Sequence, residues 1–216
     1  MAGKYLGEGA WEVDALTWPV RRIGRFTGDR HEGFSVIEQL SSRTVYQNAW
    51  MTVREDGILR PGGEPGIYAV VDKPASALII PFERDGFWLV EQYRYPVGRR
   101  SWEFPMGTLP NRADGDPQDV ARLELAQETG LAAGTLRQIG RFFHAPGMAS
   151  QACNVFLATE LTADPNGAAP DPEEDDIVLR WSPRGEFEDM LRSGEIVDAS
   201  TIAAYGLLAL CEPTAG

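Results

Sequence analysis

Apolar and polar residues alternate with a period of two from Phe34 onward, in FSVIEQLSSRTVYQNAWMTVREDGILRPGG, with turn signals at Asp56-Gly57 and Gly62-Gly63. Such alternation predicts short antiparallel strands. A second strand group follows: GIYAVVDKP, then SALIIPFERDGFWLVEQYRYP. There, ALIIPF and FWLVEQY flank Arg84-Asp85-Gly86, a hairpin signal. WEFPMG predicts another short strand ending in glycine. The period then changes. GDPQDVARLELAQETGL (Gly115–Leu131) has helical spacing, with Asp116 as N-cap, Pro117 in the first turn and Gly130 as the stop. RQIGRFFHA and NVFLATEL predict two further strands joined by PGMASQA. An acidic, Pro-rich loop runs from Ala163 to Asp176, followed by strand IVLRWS and helices in PRGEFEDMLRSG and DASTIAAYGLLAL. There is no internal repeat and no regular βαβ alternation, which predicts an α+β or mixed α/β sandwich. Residues 1 to about 33 are rich in Trp, Arg and Gly and read as an arm or irregular structure.

Composition narrows the picture. The 216 residues suit one domain or one domain with a small extension, and 43% hydrophobic residues are enough for a core. No window approaches the apolar length of a membrane span, and MAGKYLGEGAWEV carries no basic region followed by an apolar run. The only cysteines are Cys153 and Cys211, without CxxC or His/Cys metal spacing. A reducing cytoplasm is the expectation. A net charge of -12 argues against a broad nucleic-acid surface. An acidic chain that handles a phosphate-bearing small molecule must gather cations locally, through a few arginines or a bound metal. The densest basic stretch is YRYPVGRR, with Arg94, Arg99 and Arg100.

The chemistry concentrates on the helix. Glu124, Gln127 and Glu128 stand at i, i+3 and i+4 and so share a face. Two carboxylates one turn apart repel unless a cation or water sits between them. The stretch GTLPNRADGDPQDVARLELAQETGL resembles the box of the Nudix hydrolase family, G-x5-E-x7-R-E-U-x-E-E-x-G-U with U aliphatic. Glu124, Leu125, Glu128, Gly130 and Leu131 fall in register. EQYRYPVGRRSWEFPMG, EEDDIVLRW and RSGEIVDASTIAAYGLLAL resemble the ADP-ribose pyrophosphatase branch, so the similarity spans roughly Phe34 to Leu210.

The resemblance implies a Nudix fold, a mixed β-sheet between helices, with a small N-terminal antiparallel β subdomain. Its implied layout is an arm over 1–33, a dimerising β subdomain over 34–74 and the hydrolase domain over 75–216. It implies hydrolysis of the diphosphate of a nucleoside diphosphate sugar in the presence of Mg²⁺ or Mn²⁺, with ADP-ribose giving AMP and ribose 5-phosphate as the leading substrate. Other ADP-sugars or GDP-sugars are the runners-up. Mg²⁺ takes oxygen ligands and keeps several waters, and a divalent cation neutralises a pyrophosphate and activates water. By resemblance, Glu124 and Glu128 are metal ligands, with Gln127, the Met106 carbonyl and Asp175 as further candidates. Glu173 and its rival Glu174 match the base that orients water, and Glu128 counts with them in catalysis. Arg94 and Glu103 match substrate contacts. Gly147 and Met148 lie in the loop around the distal sugar, where Gln151 stands near a usual acid. Trp50 is expected to be lent across a two-fold axis. His144, beside Phe142 and Phe143, reads more readily as structural.

Three positions depart from the box. Gly107 lies two residues early, implying a longer loop. The usual Arg and its Glu partner are replaced together, by Leu123 and Gly115. Gln127 removes one negative charge from the cluster. These departures keep alive a rival reading, a catalytically weak module that binds a nucleotide sugar. A purely structural or interaction domain would require Glu124 and Glu128 to be coincidental.

Overall fold

The computed structural model describes residues 36–109, 115–168 and 176–211. Its first element group is a three-stranded antiparallel sheet in chain order: β1 (Glu38–Gln47), β2 (Thr52–Leu59) and β3 (Pro65–Asp72). Asn48 makes the first turn, its side-chain oxygen accepting from Trp50 N at 2.9 Å and Met51 N at 2.8 Å. This is an Asx-type turn. The second turn falls at Gly62-Gly63 as expected, with Gly63 at φ 89° and Arg60 N donating to Glu64 O at 2.9 Å.

The Asp56-Gly57 turn signal is wrong. Both residues lie inside β2, where Asp56 is buried and paired with Arg54, which also bonds Asp72 at 2.6 Å. Gly57 is needed for space, because a Cβ there would press on the Ser41 hydroxyl of β1. The dipeptide marks a close approach of strands instead of a reversal.

The larger sheet is mixed. Its strands are β4 (Ser76–Glu83), β5 (Gly86–Arg94), β6 (Arg99–Glu103), β7 (Met106–Gly107), β8 (Leu131–Phe143), β9 (Ala152–Ala163) and β10 (Val178–Pro183). The main order is β10-β5-β4-β9-β8, with β6 paired to β5 and β7 to β4. Only β4 and β9 run parallel, with Leu78 opposite Val155 and Ile80 opposite Leu157. The expected hairpin is present. Arg84 and Asp85 both have φ 51°, the two-residue turn whose twist suits antiparallel strands. Gly86 opens β5, where a Cβ would strike the Ser182 carbonyl of β10.

Three helices cover the sheet: α1 (Pro117–Thr129), α2 (Arg184–Ser193) and α3 (Ala199–Cys211). The alternation of β4 sorts them. Ala77 and Ile79 pack with Val120, Ala121 and Leu125 of α1. Leu78 and Ile80 pack with Phe187 and Met190 of α2 and Ala204 and Leu208 of α3. With both faces covered, β4 is apolar without interruption, as a central strand flanked by helices must be. Phe87, Phe104 and Phe187 form the aromatic centre of the second layer, with Phe87 and Phe187 centroids 4.9 Å apart. Burying each such ring stabilises the fold by roughly 2–3 kcal/mol.

The two sheets join through the loop after β8. Val71 N donates to Met148 O at 2.8 Å, Ser150 N to Val71 O at 3.1 Å, and Tyr68 OH to Gly147 O at 2.8 Å.

Candidate active site

Helix α1 is built as its sequence directs. Asp116 accepts from Gln118 N at 2.8 Å, Pro117 begins the helix, and Gly130 ends it at φ 66° with its N–H on Ala126 O. Its buried stripe is Val120, Ala121, Glu124, Leu125, Glu128 and Thr129. The apolar members enter the core, and the two carboxylates are carried inward beside them, Glu124 at 6% and Glu128 at 3% exposure. Burying two like charges on one turn is costly without compensating positive charge or hydrogen bonds. Gln127 is half-buried on the same helix.

Opposite α1 stands Gly107, the end of β7. A Cβ at this position would overlap the Glu124 carboxylate. The glycine lets the strand and the acid approach closely, and a side chain there would push the Glu124 carboxylate aside. Leu109 lies against Gly115, so that any side chain at 115 would displace it, while Leu123 is 41% exposed.

Glu124, Gly107 and Met106 form one part of the lining of a cleft of about 780 Å³. Arg94 and Glu103 line it too, joined by a fork: Arg94 Nε lies 3.0 Å from both Glu103 carboxylate oxygens, and a second guanidinium nitrogen bonds Oε2. Burial would lower the Arg94 pKa, but Glu103, Asp198 and Glu128 together hold it above its usual value. Arg94 is therefore a fixed positive charge between the acids of β6, α1 and α3.

The remaining wall comes from distant parts of the chain. Asp198 caps α3, accepting from Thr201 N at 2.7 Å. Ser200 contacts His144 Nδ1 at 3.0 Å, and His144 Nε2 meets Ser76 Oγ at 2.9 Å. Asp198, Ser200, His144, Ser76, Lys73 and Gln151 all line the cleft. Trp50, 59% exposed, stands on the rim of its own chain's cleft.

The structure thus brings Glu124, Arg94, Glu103, Met106 and Trp50 together, with Glu128 one turn behind Glu124. Gly147 and Met148 are not among the cleft-lining residues; they brace β3, and Met148 is 56% exposed. Glu173, Glu174 and Asp175 lie outside the described residues. Asp198 and Ser200 are the functional candidates that sequence reasoning passed over. The signal available was Asp198 as the N-cap at the head of DASTIAAYGLLAL, a stretch that read only as a helix.

Among the described residues no three His, Cys, Asp or Glu side chains converge as a ready metal cage. Glu124 and Glu128 nevertheless fit a hard divalent cation as two of its ligands. They offer oxygen donors only, they are nearly removed from solvent, and Glu124 faces the cleft.

A family model for the NUDIX domain matches residues 72–205, and one for the nucleoside diphosphate sugar hydrolase N-terminal domain matches residues 37–71. The chain belongs to the Nudix family. It is similar to an ADP-ribose pyrophosphatase of Mycobacterium tuberculosis, 34% identical over 83% of this chain and 86% of the relative. It is also similar to an ADP-ribose pyrophosphatase of Bacillus subtilis, 31% identical over 80% and 92%. Among solved structures, an ADP compounds hydrolase superposes with a TM-score of 0.70 at 20% identity, covering 81% of this chain and 92% of that one. That likeness establishes the fold.

Proposed function

We propose that this Nudix pyrophosphohydrolase cleaves the diphosphate of a nucleoside diphosphate sugar, with ADP-ribose as the leading substrate. The observation that carries the reading is buried Glu124, set against Gly107 in a cleft that also holds the Arg94–Glu103 fork, with buried Glu128 one turn behind it. The pyrophosphatase relatives support the substrate class. In the reaction a water oxygen bonds to one phosphorus, the bridging P–O bond breaks, and AMP and ribose 5-phosphate leave. Glu124 and Glu128 would hold Mg²⁺ or Mn²⁺, which supplies charge neutralisation and a more acidic water when bound. Arg94, locked by Glu103, orients the substrate's negative charge at little entropic cost, since its fork is already formed. Glu173 or Glu174 acts as base and Asp175 as a further ligand.

Residues 34–74 act as a dimerising unit on this reading. Its support is β1, exposed along its whole length, and the outward apolar residues Ile37, Leu40, Val45, Tyr46 and Ile67. Cytoplasmic residence is part of the same proposal; among the described residues no helix is long and apolar enough to cross a membrane.

The test is a panel of ADP-, GDP- and other nucleotide sugars with Mg²⁺ or Mn²⁺, following mononucleotide release. Turnover of ADP-ribose that a chelator abolishes is the expected result. Tight binding without turnover of any compound would move the assignment to a nucleotide-sugar-binding module.

A further inference from the structure

His144 ends the strand β8 region between two serines that belong to other elements. Ser76 opens β4, and Ser200 sits in the first turn of α3. Both ring nitrogens are engaged, Nε2 at 2.9 Å from Ser76 Oγ and Nδ1 at 3.0 Å from Ser200 Oγ. A neutral imidazole has one donor and one acceptor, so it can satisfy both hydroxyls at once. The ring edge also meets Phe142, with centroids 5.5 Å apart. All three hydrogen-bonding residues line the cleft.

The first turn of α3 is held on its other side as well. Phe104 N, next to Glu103, donates to Thr201 Oγ1 at 3.0 Å, and Asp198 caps the helix from within. Two pins therefore fix the segment Asp198–Thr201: one from the β6–β7 link beside the Arg94 fork, one from His144. Removing the second leaves α3 docked through the first and through buried Ala204 and Leu208. What it frees is the placement of Ser200 and Asp198 in the cleft wall.

We infer that His144 is a positioning residue of this cleft, fixing Ser200 and Asp198 against the substrate through its Nδ1 hydrogen bond. Ser200 keeps hydrogen-bonding capacity beyond the one bond it makes to the ring, and Asp198 keeps its second carboxylate oxygen. Both serve a hydroxyl-bearing substrate, and both depend on where α3 begins. The inference rests on the reading of the cleft as the nucleotide-sugar site.

The experiment compares His144→Phe, His144→Asn and His144→Gln in steady-state hydrolysis of ADP-ribose with Mg²⁺. Phe fills the ring's volume and makes neither bond. Asn places its amide near the position of Nδ1 and can reach Ser200. Gln extends to the position of Nε2 and can reach Ser76. Loss of one hydrogen bond at the wall should raise KM about five- to tenfold in the Phe and Gln variants, with kcat within about twofold. Asn should restore most of the KM, and melting temperatures should stay close to wild type. An unmoved KM in all three variants would overturn the assignment, as would rescue by Gln in place of Asn. So would parallel losses of kcat and melting temperature with KM constant, since that is the signature of a packing role. Wild-type protein that turns over no nucleotide sugar would overturn the substrate reading itself and this assignment with it.

Discussion

Strands β1 and β4 end in opposite environments. Every residue of β1 is exposed, whereas β4 is buried from Ser76 through Pro81. In β4 the alternate residues have partners on both faces, α1 on one and α2 with α3 on the other. In the small sheet β3 is tied to the loop after β8, whereas no contact among the described residues covers β1. The larger sheet is complete within one chain and can carry a rigid cleft. The smaller one presents an edge strand with apolar side chains outward, the feature on which the proposed self-association rests. On the proposed reading hydrolysis belongs to the larger sheet and self-association to the smaller, and each can be tested without the other.

The largest effect belongs to the cleft. Glu128→Gln should reduce metal-dependent hydrolysis of ADP-ribose by on the order of 10³-fold, because an electrostatic contribution of several kcal/mol is lost. The metal-free melting temperature should stay level or rise, since two like charges no longer share a turn. A drop of several degrees would make Glu128 a structural partner instead.

At the other region, Leu40→Lys should weaken self-association about ten- to a hundredfold, as expected when one apolar side chain loses its burial, and leave kcat of the remaining dimer unchanged. Light scattering at micromolar concentration decides it; a wild-type protein already monomeric there would refute the dimer.

A smaller effect is expected from Gln127→Glu. Gln127 is half-buried and absent from the cleft lining, so an added charge acts from behind Glu124 and Glu128. The half-saturating Mg²⁺ concentration should fall about two- to threefold, the scale of a partly screened interaction. No fall would leave the site to Glu124, Glu128 and the acidic loop.

The smallest effect is a pH dependence of stability. Burial lowers the His144 pKa, with Lys73 adding to the fall and Asp198 opposing it. A lowered folded value means the unfolded chain binds the proton more readily. The stability contribution is complete above about 6.5, the unfolded value, and is lost as pH falls from there toward the folded value. The melting temperature of wild type should decline over that window more steeply than that of His144→Phe. Identical slopes would contradict the lowered pKa of the half-buried His144 imidazole.

The legible parts of this molecule are those encoded locally. Asp116, Pro117 and Gly130 bound α1 where the sequence places it, and Arg84-Asp85 makes the hairpin. Glu124 and Glu128 follow from one helical turn. Asp56-Gly57 misled because a dipeptide cannot say whether glycine serves a turn or a crowded strand; Ser41, sixteen residues earlier, settles that. The His144 wall was illegible for the same reason in stronger form. Ser76, His144 and Ser200 are joined only by the order of strands and the docking of α3, and no spacing in the chain records that meeting.

The most direct test of the cleft as a divalent-cation site for nucleotide-sugar hydrolysis is Mn²⁺ binding by electron paramagnetic resonance. It is read on the wild-type protein and on a Glu124→Gln, Glu128→Gln double variant, with ADP-ribose turnover measured on the same samples. The account predicts bound Mn²⁺ and turnover in the wild type, and loss of both in the double variant with the fold intact by circular dichroism. Equal Mn²⁺ affinity in the two proteins, or turnover that survives the double substitution, would contradict it.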